Sequence, residues 1–494
     1  MKSYLFKRSG PIVVCLNYFI HKSCIVPVLF LMLSIILINC KGGSGTEDTL
    51  PEAILYRTSP DQSELLNEIK LKKSKIADSV SIESTITLMP SIRYQEMDGF
   101  GYTLTGGSAL HLQKMSASAR AEILEELFGK GPNSIGVSYL RISIGASDLD
   151  EYPWSYNDLP PGETDPELEH FSLAYDTLYL IPVLKEILKI SPAIKIMGSP
   201  WSPPPWMKDN TDTRGGSLLK EYYPAYASYF VKYIKAMEAE GIPIDAITVQ
   251  NEPLHPGNNP SLLMLAKDQG EFVKNHLGPA FKKNGVLTKI VIYDHNADRP
   301  DYPISILDDS IAAQYIDGSA FHLYGGAIDS LTKVHDAHPD KHLYFTEQWI
   351  GAPGNFEENL SWHIQNLIIG APRNWSRNVL QWNLAADENQ QPHTDRGGCT
   401  RCLGAITIQG DSITRNPAYY IIAHASKFVP PGSVRIDSNQ EGNILNVAYV
   451  TPDNKTVVIL QNKNDKSVTF ELKKEEEKLQ LTLGGKDIGT LVWN

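Results

Sequence analysis

Cysteine is scarce in this chain: there are five in 494 residues, and Cys15, Cys24 and Cys40 all stand near the N-terminus. Only Cys399 and Cys402 remain, in the Gly-rich run Arg396-Gly397-Gly398-Cys399-Thr400-Arg401-Cys402. A thioredoxin-like pair would stand at a strand-to-helix junction rather than in such a loop. A zinc site would use His393 and two further ligands that the sequence does not present. A small disulfide staple between Cys399 and Cys402 in an exported protein is therefore expected. Clustered positive charge is also lacking. The formal net charge is -12, and no basic block follows the N-terminal segment. This argues against nucleic acid as a partner, because neutralising its backbone takes grouped Lys and Arg. The HExxH zincin motif, the P-loop and the Gly-x-Ser-x-Gly elbow are all missing. No metal set and no cofactor-binding motif can be assigned. Asp98-Gly99-Phe100-Gly101 has Leu104 where a dinucleotide loop needs its third glycine, so a tight strand-end turn is expected there.

What is present begins with a targeting pattern. Lys2, Lys7, Arg8 and Lys22 precede an apolar stretch over 24–38 that is too short for a spanning helix. It ends in Leu37-Ile38-Asn39-Cys40, followed by Lys41-Gly42-Gly43-Ser44-Gly45. This resembles a bacterial lipoprotein signal over 1–39, with Cys40 as the lipidated first residue and 40–52 as a tether. The expected location is the outer membrane or cell surface of a bacterium, with the lipid as membrane anchor. The chain is also rich in aromatics, with 8 Trp and 23 Tyr. Most belong in a core, but aromatic faces also suit the apolar C–H faces of sugar rings.

Two glutamates organise the rest. Glu252 ends Ala246-Ile247-Thr248-Val249-Gln250-Asn251-Glu252, and Glu347 ends Leu343-Tyr344-Phe345-Thr346-Glu347. The apolar runs read as buried parallel strands. Further strands are expected at 137–144, 194–197, 289–293, 320–324 and 379–382, with the barrel beginning at the turn 98–101. Helices are expected between them at 119–128, 175–190, 219–239, 262–276 and 362–369. Alternating strands and helices give an α/β fold over 97–403, read as a (β/α)8 barrel, with an open sheet also allowed by the spacing alone. A carboxylate just past such a strand sits at the catalytic mouth, where two can divide the cleavage of a glycosidic bond. From 404 onward short strands separated by turns predict an accessory antiparallel β-sandwich over 404–494, with Ile406-Thr407-Ile408 as its opening strand.

The ordered set Asp98-Gly99-Phe100-Gly101, Leu140-Arg141-Ile142-Ser143, Ser199-Pro200-Trp201-Ser202-Pro203-Pro204-Pro205-Trp206, Gln250-Asn251-Glu252-Pro253, Phe321-His322-Leu323-Tyr324, Thr346-Glu347 and Trp382-Asn383-Leu384-Ala385 resembles the family 30 glycoside hydrolases. That group contains glucosylceramidase and β-1,6-glucanases. The resemblance implies Glu252 as acid/base and Glu347 as nucleophile of a retaining reaction. It implies Arg141, Asp148, Trp201, Asn251, His322, Tyr324 and Trp382 as substrate-site residues. Arg141 would keep the nucleophile ionised, Asn251 would meet the sugar 2-hydroxyl, and Tyr324 would lie beside Glu347. It also implies that residues 53–96 leave the barrel to join the C-terminal sandwich. The expected substrate is a β-glucoside, with β-1,6-glucan or gluco-oligosaccharides ahead of glucosylceramide and xylan. A non-catalytic carbohydrate-binding protein is the alternative of another class; it would need the aromatics but not the paired carboxylates.

Overall fold

A computed structural model describes residues 53–71 and 82–494. The expected signal, Cys40 and the tether fall outside the described residues.

Eight parallel strands close a barrel in chain order: Gly99–Thr103, Tyr139–Ile144, Lys195–Pro200, Ala246–Thr248, Lys289–Ala297, Ile316–Gly326, His342–Glu347 and Ser376–Gln381. The first strand corrects the turn expected at Gly99 and Gly101. Both glycines are paired, with Gly101 beside Tyr139. A Cβ at Gly101 would stand 1.9 Å from the Tyr139 carbonyl oxygen, so the close approach of two strands, not a turn, requires glycine there. Helices wrap the barrel because their apolar residues recur at helical spacing. In Tyr223–Ala239, Tyr226, Phe230, Ile234 and Met237 are all buried. Each side chain of this size contributes about 1.5–3 kcal/mol by leaving water. The segment expected to be helical from 175 starts at Leu180, and the one expected at 362–369 runs as Phe356–His363 into a wider π-turn, Ile364–Gly370.

The barrel interior is filled by a layer of Tyr139, Met197, Ala246, Val291, Ala320, Tyr344 and Leu380. Two residues further along six of these strands stand Arg141, Ser199, Thr248, His322, Thr346 and Trp382. Alternation along a strand puts them on the same inward face, one layer nearer the mouth. The fifth strand departs from this rule. Its register shifts between Tyr293 and His295, and Tyr293 and Asp294 have φ of 73° and 62°. The extra residue turns Tyr293 out into the core around the barrel and brings Asp294 in.

The second architectural unit is a nine-stranded sheet that buries one common core, including Leu55, Ile86, Phe470, Leu481, Leu491 and Trp493. It takes strands from both ends of the described chain. Ala53–Thr58 pairs with Ile488–Trp493 and Asn67–Leu71, and Thr85–Glu96 lies between Val434–Ser438 and Val468–Lys474. The barrel is thus inserted between Glu96 and Val434. The sheet is not wholly antiparallel, since Val468–Lys474 runs parallel to Thr85–Glu96. Ile406-Thr407-Ile408 does not open it. That strand, Ile406–Gln409, pairs with Ala385–Ala386 just past the last barrel strand and with Ser412–Arg415. Ile406 and Ile408 pack into the barrel's own core cluster, as do Ile421 and Ile422 of the helix Pro417–Ser426. A short apolar strand carries no mark of which sheet it joins, and here burial against the barrel decides.

Candidate active site

At the C-terminal mouth, the inward layer becomes a connected polar network. Arg141 is fully buried and serves four acceptors: Ser199 Oγ at 3.0 Å, Glu347 Oε2 at 2.6 Å, Asn251 Oδ1 at 2.7 Å and Asp294 Oδ2 at 2.8 Å. Only a planar guanidinium offers that many donors in fixed directions. Asp294 is the second hub. Its carboxylate accepts from Arg141, from Thr248 Oγ1 at 2.7 Å, from Thr346 Oγ1 at 2.6 Å, from Ser199 Oγ at 3.2 Å and from His322 Nε2 at 3.0 Å. Burial alone would raise its pKa, but the Arg141 charge and the His322 contact hold it far below the usual carboxylate range.

His322 joins both glutamates to this network. Nδ1 lies 3.3 Å from Glu252 Oε1 and 3.8 Å from Glu347 Oε1. Burial works against its charged form. The Glu347 charge and the hydrogen bonds to Asp294 and Glu252 prevail, raising its pKa to about 9. At neutral pH it is an imidazolium that donates from both nitrogens. Glu252, His322 and Glu347 bring one ligand-type atom each within 4.8 Å of one another, a spacing that could hold a cation. Both His322 nitrogens already face carboxyl oxygens, Glu252 Oε1 at 3.3 Å and Asp294 Oδ1 at 3.0 Å.

The same spacing means that carboxylate oxygens of Glu252 and Glu347 approach within 4.8 Å. Their surroundings differ. Glu347 receives Arg141 at 2.6 Å and Tyr324 Oη at 2.9 Å. Glu252 has His322 at 3.3 Å and Asn258 Nδ2 at 3.4 Å. Taken singly, burial pushes Glu347 up, while His322 outweighs burial at Glu252 and pulls it down. Two carboxyl groups this close repel when both are ionised, so the charge of one favours the proton on the other. The shorter, charge-assisted donors stand on Glu347, so we place the ionised carboxylate there and the proton on Glu252. Glu252 also sits at φ 44°, a left-handed conformation just before Pro253. Such a position costs about 1–3 kcal/mol in a non-glycine residue. It is held by the Glu252 N–H on the Asp294 carbonyl at 2.9 Å and the His255 N–H on the Glu252 carbonyl at 2.9 Å.

A cavity of about 440 Å³ opens over the two glutamates, with Asp148, Trp201 and Trp382 in its wall. Trp201 and Trp382 stack with centroids 5.4 Å apart, and the Arg141 guanidinium lies 4.9 Å from the Trp201 ring. Asp148 is buried, and desolvation with the charges of Glu347 and Glu252 raises its pKa to about 8. Asn251 gives its Oδ1 to Arg141, which leaves its Nδ2 as the end that can donate to a ligand. Arg141, Asp148, Trp201, Asn251, His322, Tyr324 and Trp382 therefore converge on Glu252 and Glu347. Trp206 does not join them; its Nε1 donates to the Asn157 carbonyl at 2.9 Å, and it packs on Tyr222.

The disulfide between Cys399 and Cys402 is formed, which corrects the zinc alternative. His393 is engaged by Gln391 and by the Thr394 carbonyl. Sequence reasoning missed Asp294, whose inward position depends on the irregularity in the fifth strand. It also missed His255, Asn258, Asn296 and Trp349, which line the cavity beside Glu252 and Glu347. Trp349 could have been found, since it stands two residues past Glu347 on the same strand end.

Comparison with known proteins agrees with this geometry. The family descriptions "Glycosyl hydrolase family 30 TIM-barrel domain" and "Glycosyl hydrolase family 30 beta sandwich domain" match residues 97–429 and 432–491. The chain is 34% identical over 391 residues to an endo-1,6-beta-D-glucanase of Trichoderma harzianum, covering 74% of this chain and 78% of that one. It is 27% identical over 438 residues to the lysosomal acid glucosylceramidase of Mus musculus, covering 83% of each. Among solved structures, the endo-beta1,6-glucanase BT3312 superposes with a TM-score of 0.82 at 36% identity, covering 90% of this chain and 99% of that one.

Proposed function

The chain belongs to glycosyl hydrolase family 30, and we propose that within it the chain hydrolyses β-glucosidic bonds of a β-1,6-linked glucan. Glu252 is the acid/base in this reading and Glu347 the nucleophile. The observation that carries the mechanism is the approach of their carboxylate oxygens within 4.8 Å. Closely paired carboxyl groups serve a retaining double displacement, whereas inversion needs a wider gap, about 6.5–9.5 Å between the groups, to fit a water.

In the first step Glu252 gives its proton to the glycosidic oxygen. The bond from that oxygen to the anomeric carbon breaks, and Glu347 bonds the same carbon from the opposite face. Arg141 and Tyr324 hold Glu347 ionised and aimed until then. Esterification removes the charge of Glu347, so Glu252 is left as a carboxylate able to act as base. It takes a proton from water, the hydroxide attacks the anomeric carbon, and Glu347 leaves. The configuration is inverted twice and so retained. Asn251 Nδ2 is placed to donate to the 2-hydroxyl, and the Trp201–Trp382 pair and Asp148 grip the glycone.

The leaving group departs past the proton donor, so residues beside Glu252 meet the aglycone. These include His255, whose N–H donates to the Glu252 carbonyl, and Asn258, whose Nδ2 lies 3.4 Å from Glu252 Oε2; both line the cavity and both are polar. They suit a second sugar better than the apolar tails of glucosylceramide. The β-1,6-glucanase relatives, at 34% and 36% identity, support the same substrate. Product release from β-1,6-glucan, β-1,3-glucan, xylan and glucosylceramide tests it. We expect cleavage of the first, and cleavage of the lipid or xylan alone would overturn the substrate while sparing the two-glutamate mechanism.

Export as a lipoprotein through Cys40, to the outer membrane or cell surface, is part of the same proposal and is supported by the sequence pattern before that residue. Cys40→Ser should release the enzyme from the membrane fraction or leave it unprocessed; an unmodified Cys40 in a soluble product would contradict it.

A further inference from the structure

The Cys399–Cys402 bridge lies in the wall of the catalytic cavity, not on the outer surface. Both cysteines line it together with Asp148, Trp201, Trp349 and Trp382. Cys402 is 3% exposed and packs in one cluster with Leu149, Trp201 and Trp382. The loop that carries the bridge is bonded on two sides. Toward the loop after the second barrel strand, the Cys399 N–H donates to Asp148 Oδ2 at 3.3 Å and the Thr394 N–H to the Asp148 carbonyl at 3.0 Å. Toward the segment after Glu347, the Leu403 N–H donates to the Ile350 carbonyl at 2.9 Å and the Ala352 N–H to the Arg401 carbonyl at 2.8 Å. The four-residue ring closed by the sulfurs stands between these two anchorages.

We propose that the Cys399–Cys402 disulfide is a positioning element of the sugar subsite, keeping the Cys399 amide on Asp148 and Cys402 against the Trp201–Trp382 pair, so that the enzyme holds its glycone tightly only when oxidised. The inference rests on the glycosidase reading above. Gly397 and Gly398 precede the ring directly, and glycine restricts the unbound backbone least of all residues. Once the bond opens, residues between the glycines and Leu403 regain backbone freedom that must be lost again on binding. The two sulfurs, no longer bonded, also move apart to van der Waals distance within a packed cluster. Opening takes two electrons and two protons from an added dithiol, which becomes a cyclic disulfide as the bridge becomes two thiols.

The test compares the full-length enzyme oxidised and after treatment with dithiothreitol, with thiols counted in each state. An aryl β-glucoside gives KM and kcat, and an imino sugar of glucose configuration gives an inhibition constant. On reduction, KM and the inhibition constant should rise together by up to about tenfold, the upper end for one lost neutral hydrogen bond, with kcat within about threefold. Reoxidation should restore both. The double variant Cys399→Ser/Cys402→Ser should show the raised constants without reductant and no longer respond to it. Unchanged KM and inhibition constant in an enzyme shown to be reduced would overturn the inference and leave the glycosidase reading intact. So would a reduced enzyme that loses cooperative unfolding along with kcat, because the bridge would then hold the fold rather than the subsite. An oxidised enzyme that turns over no β-glucoside would remove the glycosidase reading, and this inference with it.

Discussion

Arg141 donates to Glu347 at 2.6 Å while its other nitrogens hold Asn251, Ser199 and Asp294. One buried cation thus sets the charge of Glu347 and the orientation of the amide beside Glu252. The two glutamates are not independent groups at a strand end but parts of one electrostatic unit.

Replacing that cation should therefore harm both stability and activity. Arg141→Met strands Asp294 and Glu347 as buried carboxylates, and losing one partner of a buried pair costs about 3–5 kcal/mol. Arg141→Lys keeps the charge but not the fork that serves four acceptors, so it should recover part of the stability and little of kcat. Denaturant unfolding alongside steady-state kinetics distinguishes the two. Wild-type kcat in Arg141→Met would contradict the assigned role.

Glu252→Gln should retain the fold and lose proton donation. The loss should be about 10²–10⁴-fold on glucosides with poor leaving groups, and much smaller in the glycosylation step of an aryl glucoside that leaves without help. Azide, which needs no base, should rescue the second step. A loss independent of leaving-group pKa would argue that Glu252 is not the acid.

His322 makes stability depend on pH in a definite direction. Its folded pKa, about 9, lies above the ordinary imidazole value of 6.5. A raised pKa means that the folded state binds more protons between these values, so the contribution is complete below about 6.5 and is lost as pH rises through about 9. Asp148, raised from 3.8 to about 8, acts in the same direction over its own window. His322 and Asp148 should thus each lower the unfolding free energy between pH 6 and pH 9, against an opposing rise above about pH 7 from Lys208, whose burial lowers its pKa from 10.5 to about 7. His322→Asn should remove the His322 share of the fall above about pH 6.5 and leave the other two contributions. An unchanged slope in the variant would show that His322 does not carry the charge assigned to it.

The parts of this site that the sequence discloses are those that obey strand alternation. Arg141, His322 and Trp382 each stand two residues past an interior apolar residue, and Glu252 and Glu347 each follow a buried strand. Asp294 breaks the alternation, because from Val291 the period of two points Tyr293 inward. Only the left-handed backbone at Tyr293 and Asp294 reverses this, and nothing in their side chains announces it. The sheet unit was harder for another reason. Ala53–Thr58 finds its partner, Ile488–Trp493, at the other end of the chain, and local periodicity carries no information about such pairings. Ile406–Gln409 shows the converse, a strand that was legible as a strand but not by the surface that buries it.

The central claim is that Glu347 attacks the anomeric carbon. A 2-fluoro-β-glucosyl fluoride slows both steps by destabilising the oxocarbenium-like transition state, while its good leaving group restores only the first, so the glycosyl-enzyme accumulates. Mass mapping of peptides from the inactivated enzyme reads the site directly. A single fluoroglucosyl label is expected on Glu347, with activity returning as the ester is hydrolysed. A label on Glu252 or on any other residue would contradict it.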